Sequence, residues 1–363
     1  WFFLDTMLRL RPEEPLDERV VIVGIDIEDI RLSKQYPIPD RKIAELLTKL
    51  QSYKPRAIGL DLFKDVPVKP GSDELARILR ENTNIIGIEK ILPPGEIPPH
   101  KSLLSEQVGF VDLRFDVDSK FRRYFLHTSV NENPSENKFS LALQLITQYF
   151  DAEGIELGAG IKDPNALMIA SKELPRINNQ NFGGYVNVKV DGLYTLINFR
   201  NSKKPFRVVS MRDVINNNVN PKWFRNSIIL IGNRNPSAGD IFYSSAVPTL
   251  KLTGQIYGID YHAHAISEIL SYVIDNRPML SSWGDTQEYI WIIIWGLLPI
   301  VLGRITQSVW KNLLSVAVAV FILISCGYLM LWVWGIWIPV APNFLILALN
   351  AVGLSAFAFY QHD

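Results

Sequence analysis

The sequence has little that would mark a disulfide-braced, glycosylated or nucleic-acid-binding protein. Among its 363 residues Cys326 is the only cysteine, so no disulfide can brace an exported portion. No Asn-x-Ser/Thr acceptor is present, because prolines spoil both near-matches, Asn133-Pro134-Ser135 and Asn235-Pro236-Ser237. Lysine plus arginine number 37 and aspartate plus glutamate number 37, which leaves no positive excess to attract nucleic acid. DNA and RNA are therefore not expected partners. The other two absences fit a bacterial periplasmic or outer-face domain.

Catalytic signatures are missing as well. No serine sits in G-x-S-x-G, and the one cysteine falls inside an apolar run. SIILIGNRNPSAGD looks like a strand feeding a phosphate loop, yet it lacks the lysine and Ser/Thr pair that hold phosphates and metal. GIDIEDI lacks the G-x-G-x-x-G that lets backbone approach a pyrophosphate. In GIDYHAHAISEIL, His262 and His264 would point about 200° apart on a helix and cannot share one ion. His262 shares a face with Ile266 and Ile269, which places it at a core edge, bonded to a neighbouring loop. His264 and Glu268 are one helical turn apart but lack a compact third ligand, so a solvated helix face is expected for them. No catalytic residue, metal or cofactor is expected.

Long apolar runs are confined to the end of the chain. After Ser282 charge nearly vanishes, and three apolar spans follow, approximately 289–303, 313–334 and 336–360. A spanning helix needs roughly 20 mainly apolar residues, so the first is short and must borrow 286–288 or tilt. Arg304 and Lys311 carry the only charges between the first two spans, which places that loop in the cytoplasm and the region before Tyr289 outside. The turn WVWGIWIPVAP, with Trp332, Trp334 and Trp337, suits the opposite interface. The opening WFFLDTMLRLRPEEP is read as the outer end of a truncated membrane helix or a surface amphipathic helix; it is too short and charged for a signal peptide.

Between these ends the pattern is that of one α/β domain. VVIVGID, AIGLDLF and NIIGIEK are short buried-strand runs, alternating with helical KIAELLTKLQSY and SDELARILREN, so the fold begins βαβαβ with Asp40 a candidate cap. GFVDLRFD and FRRYFLHTSV are expected to pair, FSLALQLITQYF to be an amphipathic helix, and residues 184–190 and 193–200 to form a hairpin around Asp191-Gly192. Residues 151–180 carry no clear pattern. SIILIGN supplies another buried strand, and GIDYHAHAISEILSYVI a helix leading towards the membrane.

Ligands of open α/β sheets bind beyond the carboxyl ends of strands. Asp26, Asp61 and Asn233 end three such strands, with Asp240 in the following loop, an acidic group suited to a cation, an amine or a sugar-like ligand. Helix capping is the competing role for Asp26 and Asp61, and Arg41 is a candidate to neutralise them. Arg122-Arg123 are read as a solvated basic face of a strand, with anion gripping the alternative.

Through VVIVGID, the PDR of YPIPDR, AIGLDLF, VGFVDLRFDVDSKFRRYFL, FSLALQL, LINFR, IILIGN, AGDIF and GIDYHAHA, in that order and ahead of three apolar spans, the chain resembles the type 2 CHASE family of extracellular sensor domains. It departs from the family at YPIPDR, where an aromatic W-P-W stretch is usual, at GIDYHAH for G-V-E-x-H-A-N, and at Ser244-Ser245 for a T-P pair. The resemblance implies an α/β exported domain with a mostly parallel or mixed sheet flanked by helices, followed by an all-α bundle of three transmembrane helices. The expected division is 1–12 for the end of a membrane helix, 13–283 for the extracytoplasmic sensor and 286–360 for the spans.

The resemblance also implies a multi-pass protein of the bacterial inner membrane that is not itself an enzyme. It would receive a small-molecule or protein stimulus and relay it to a cytoplasmic cyclase, kinase or other effector absent from the chain, with a homodimer surrounded by membrane lipid as the expected assembly. Asp26, Arg41, Asp61, Asp240 and His262 are the ligand-binding positions this alignment selects. A membrane-anchored metal-dependent hydrolase using Asp26, Asp61, Asp240 and a histidine, and a protein-binding scaffold subunit, are the competing expectations.

Overall fold

Val20, Val21, Ile22 and Val23 are four consecutive β-branched residues, and all four are fully buried at the centre of a sheet. Runs of this kind suit strands covered on both faces, which is the condition of a parallel sheet between helical layers. The computed structural model describes residues 1–129, 137–178, 181–188, 190–236, 239–244, 246–247, 254–305 and 309–360. Val130, Gln180, Lys189, Ser237, Ala238, Ser245 and the closing QHD lie outside the described residues, as does Asn133-Pro134-Ser135.

The chain begins with α1 (Phe2–Leu10), β1 (Asp17–Ile25), α2 (Ile27–Ser33), α3 (Asp40–Ser52), β2 (Ala57–Asp61), α4 (Ser72–Glu81), β3 (Ile85–Glu89) and β4 (Val108–Phe110). Next come β5 (Arg123–Ser129), β6 (Asn137–Phe139), α5 (Leu141–Asp151), β7 (Leu157–Ala159), β8 (Leu167–Ile169), β9 (Lys172–Glu173) and β10 (Leu193–Leu196). After them stand β11 (Phe206–Ser210), α6 (Met211–Ile215), β12 (Ile228–Asn233), β13 (Ile241–Tyr243), β14 (Gln255–Tyr257) and α7 (Gly258–Asp275). The last elements are β15 (Ser281–Ser282), α8 (Asp285–Ile305), α9 (Val309–Trp334), β16 (Ile336–Trp337) and α10 (Ala341–Tyr360). They divide into a larger unit, Pro12–Arg176 with Asp191–Met279, and a smaller one, Trp1–Arg11 with Ile177–Val190 and Leu280–Asp363.

The larger unit is α/β. Its central sheet has six strands in the order β11-β1-β12-β2-β3-β4, all paired in parallel. The expected βαβαβ start is present, but β12 inserts between β1 and β2, a long-range pairing that no local pattern encodes. On one face α3 buries Ile43, Leu46, Leu47 and Leu50, spaced as a helical stripe, together with α4 and α6 against Val21, Val23, Ile58 and Ile229. On the other face α7 packs on β1 and β12, and α5 on β2, β3 and β4. Gly59 permits that second layer: a Cβ there would stand 2.7 Å from Leu145 Cδ1 of α5.

Two expected pairings are replaced by others. GFVDLRFD does not pair with FRRYFLHTSV; β4 adds to the parallel sheet beside β3, and β5 joins the antiparallel group β10-β5-β6. Leu193–Leu196 pairs with β5 rather than with residues 184–190, and Phe125 stacks on Tyr194 with centroids 4.5 Å apart. Phe182 and Tyr185 instead close a tight turn at Gly183, whose φ of +55° suits glycine. The patternless stretch holds the antiparallel group β7-β8-β9. Asp40 is the first residue of α3 and does not cap it; its carboxylate accepts from Lys64 Nζ, Val68 N and Ser72 Oγ, holding the loop after β2.

In the smaller unit α10 packs on α8 and α9, and α1 on α9. Ser281–Ser282 and Ile336–Trp337 form a short parallel pair. Three helices occupy the three apolar runs, with the third beginning at Ala341 rather than Ile336. Among the described residues only Trp310–Trp334 is both long and apolar enough to cross a membrane; Ala341–Gly353 is apolar but shorter.

Candidate functional site

The parallel register aligns the carboxyl ends of the central strands. Asp61 stands opposite Gly232, and Asn233 opposite Ile25, so the ends of β2 and β12 are side by side. In the antiparallel pair β13 and β14, Ile241 faces Tyr257, which brings the preceding Asp240 to the following Gly258 at the start of α7. A Cβ on Gly258 would stand 2.4 Å from Asp240 Oδ1, so this glycine lets the carboxylate reach the amino end of the helix. His262, four residues on, shares that helix face.

Asp61, Asp240, Asn233 and His262 line one cleft of about 610 Å³, with Ile25, Ile88 and Val111 among its apolar walls and Tyr36, Phe63, Phe115 and Phe242 as its rings. Lys64, Lys90 and Asp112 also line it. The volume falls within the roughly 300–1,000 Å³ of small-molecule pockets, at the strand ends where open α/β sheets take ligands.

The electrostatics of the cleft are unusual for carboxylates. Burial, with the negative charge of Asp240 adding to it, pushes Asp61 up to about 8. Asp240 is raised to about 6 by burial and by Asp260, against a backbone N–H from Gly258. No hydrogen-bond partner or ion pair of the Asp61 side chain is found among the described residues. Lys64, the nearest candidate in sequence, is committed to Asp40 at 3.0 Å.

His262 is 3% exposed, and Nδ1 lies 2.6 Å from the hydroxyl of Tyr124 on β5. Its partner is therefore a strand, not a loop. Burial lowers the ring to about 4, so it is neutral at pH 7. Tyr124 continues an aromatic seam: its ring lies 5.1 Å from Tyr261, Tyr261 5.4 Å from Phe121, and Phe121 4.3 Å from Phe115 and 4.8 Å from Phe242 at the cleft.

Two of the sequence-selected positions stand apart from this cleft. Asp26 caps α2, accepting from Glu28 N and Asp29 N at 2.9 and 3.0 Å, and pairs with Arg212 at 2.6 Å. Burial, the largest single influence, would raise its pKa, but the Arg212 hydrogen bond, the backbone N–H groups of Asp29 and Glu28 and the Arg212 charge together outweigh it, and the net shift is downward. Arg41 is exposed on the first turn of α3 and pairs with none of Asp26, Asp61 or Asp240. Arg212, not Arg41, neutralises Asp26.

The expected solvated faces are buried. His264 and Glu268 are 2% and 1% exposed; His264 Nδ1 accepts from Arg200 N, and Glu268 Oε1 from Asn198 N. They satisfy the backbone of the segment following β10, a polar role that a histidine and glutamate at this spacing do not reveal in sequence. Arg122 is also buried, bound to Asp116 and Asp118, and Arg123 bonds Asp116. The motif DVDSKFRR thus folds back on itself as a closed ion network.

Sequence reasoning missed Lys64, Lys90, Asp112 and the four rings of the cleft. A signal existed: Phe63, Phe115 and Phe242 each stand within two residues of an aspartate in LDLF, RFD and DIF. No group of three or more potential metal-ligating side chains occurs among the described residues.

The larger unit is thus a parallel α/β sheet with an acidic, ring-lined cleft at its carboxyl edge. The CHASE2 domain family model matches residues 1–301, and the chain belongs to that family. CHASE2 domains are extracytoplasmic sensory domains of signalling proteins. No curated protein and no solved structure matches the chain.

Proposed function

We propose that the chain is the sensor region of a multi-pass bacterial inner-membrane signalling protein, with the larger unit outside the cytoplasm and α8, α9 and α10 as its spans. The stimulus is a small molecule that enters the cleft at Asp61, Asp240 and His262. Asp26 and Arg41 support the fold around it. The chain itself catalyses no reaction; a cytoplasmic cyclase, kinase or other effector receives the signal, and paired subunits rearranging against one another would carry it across.

The observation that carries this reading is the place of α7. Its first two turns form a wall of the cleft through Gly258 and His262. Its second half is held by ions and hydroxyls: Ser267 Oγ donates to Asp17 at 2.6 Å, and Arg200 bonds Ser267, Ser271 and Asp17. Arg277, two residues past the helix, clamps Glu14 at 2.6 Å. Along the chain, Glu14 and Arg277 each lie three residues from the smaller unit, at Arg11 and Leu280. Ligand contact and chain exit are thereby joined by one helix. A signal requires two states of such an element with different ligand affinity.

The test is a thermal-shift screen of the full chain in detergent against sugars, amines, amino acids, anions and divalent metals, beside the Asp61→Ala variant. A ligand of the folded state raises Tm by mass action. A rise seen in the parent and lost in the variant supports the reading. No rise for any compound class moves the assignment to a protein stimulus, with the exposed domain acting as a docking scaffold.

A further inference from the structure

Resting on the cleft as the stimulus site, we infer that its ligand is an organic ammonium compound, its cationic head held by Asp61 and Asp240 and its apolar body among the rings of Tyr36, Phe63, Phe115 and Phe242.

Three independent observations carry this. First, Asp61 has no hydrogen-bond or ion-pair partner among the described residues, whereas Asp26, Asp40 and Asp116 are each met by an arginine or lysine. A desolvated carboxylate without a cation is costly, and an incoming ammonium supplies what the fold omits. Second, His262 is 3% exposed, bonds Tyr124 through Nδ1, and lines the cleft with no partner for Nε2 among the described residues. It is a neutral polar group left for a ligand atom. Third, aromatic rings line the same cavity, and ring faces attract cations more than they attract anions or neutral polyols. A hydrated metal ion uses neither rings nor 610 Å³, and no group of three metal-ligating side chains is present among the described residues.

The titratable and charged groups around the site are Asp61, Asp240, His262, Lys64, Lys90 and Asp112, with Asp260 acting on Asp240 from α7 and itself paired with Arg234 at 3.3 Å. Lys64 is tied to Asp40, and Asp112 is fixed by the backbone N–H groups of Ile91 and Leu92 at 2.8 Å. Lys90 adds one positive charge to the lining, which tolerates a carboxylate on the ligand at a distance from the ammonium.

The test compares three probes of one shape on the full chain in detergent: phenethylamine, 2-phenylethanol and 3-phenylpropanoate. Phenethylamine is expected to raise Tm and to bind at least about tenfold more tightly than the neutral and anionic probes, the usual scale for a charge-assisted contact. Asp61→Asn, which keeps shape and removes charge, should lose about tenfold in phenethylamine affinity, and Phe115→Ala should weaken phenethylamine more than the neutral and anionic probes. Binding should also expel protons, because a cation favours the ionised carboxyls; affinity then rises from pH 6 towards pH 8. Equal binding of the three probes, or full affinity in Asp61→Asn, overturns the ligand class. If a sugar or anion from the broader screen binds instead and Asp61→Ala abolishes it, the ammonium assignment falls while the cleft remains a small-molecule site. If nothing binds in either experiment, both fall together.

Discussion

The hydroxyl of Tyr124 lies 2.6 Å from Nδ1 of His262, so a strand of the antiparallel group is fastened to the second turn of α7. Both side chains are buried. Tyr124→Phe keeps the ring packing and leaves a buried imidazole nitrogen unpaired, at a cost of about 1–3 kcal/mol. The expected result is a lower Tm and a lower denaturation midpoint for the full chain in detergent. A variant as stable as the parent would mean that the two groups are not bonded in solution.

Asp61 supplies a pH dependence of stability whose sign is fixed by its shift. Its folded pKa, about 8, exceeds its ordinary value of 3.8, so the folded state holds a proton that the unfolded state has lost between those limits. Stability from this group is complete below its ordinary value of 3.8 and declines as pH rises towards 8. Asp61→Asn cannot lose a proton and escapes the decline. Its Tm relative to the parent should therefore climb between about pH 5 and pH 8, and a constant difference across that range would contradict the desolvated, unpaired state of the carboxyl.

The parts of this fold that are legible in the sequence are those written locally. Four β-branched residues in a row announce β1, and the spacing of Ile43, Leu46, Leu47 and Leu50 announces α3. The cleft is half legible, because strand-end aspartates mark the carboxyl edge of a parallel sheet whatever the strand order. Which of them face a cavity is not. Asp26 and Asp61 occupy equivalent strand ends, yet Arg212, 186 residues away in sequence, claims Asp26 and nothing comparable among the described residues claims Asp61. The same blindness hides the polar core under α7. His264 and Glu268 satisfy main-chain groups of residues 200 and 198, and no local pattern specifies partners 64 and 70 positions distant.

The ion network at Arg122 is expected to be structural rather than a ligand grip. Arg122 bonds Asp116 at 3.0 Å and Asp118 at 2.7 Å, and the Arg122 and Asp116 side chains are almost wholly inaccessible. Removing one member of such a pair strands the other without water, typically at about 3–5 kcal/mol. Arg122→Ala should consequently unfold at much lower temperature than the parent, without selective loss of any one ligand class. A well-folded Arg122→Ala that loses only the binding of anions would restore this arginine to the ligand site.

Gly59 makes the close approach of α5 to the sheet testable. Its added Cβ would meet Leu145 Cδ1 at 2.7 Å and Leu230 Cδ2 at 2.9 Å, two side chains locked between layers. Gly59→Val should cost about 1–3 kcal/mol through overpacking, and Gly59→Ala less. The graded loss would appear in Tm, and Leu145→Ala should relieve part of it in the double variant.

The number of membrane crossings decides on which side of the membrane Lys311, at the start of α9, is found. With α8, α9 and α10 all spanning, the connection between α8 and α9 lies in the cytoplasm, as Arg304 and Lys311 at the adjoining helix ends favour. If α9 alone spans, Lys311 lies on the same side as the larger unit. Cys326→Ala provides a cysteine-free background, in which Glu74→Cys on the exposed side of α4 reports the sensor side. A membrane-impermeant maleimide should label Glu74→Cys in intact cells and Lys311→Cys only after the membrane is opened. Labelling of both in intact cells would remove the crossing at α8 and turn it into an outer-face helix, and the path from α7 to the cytoplasm would then enter the membrane at α9.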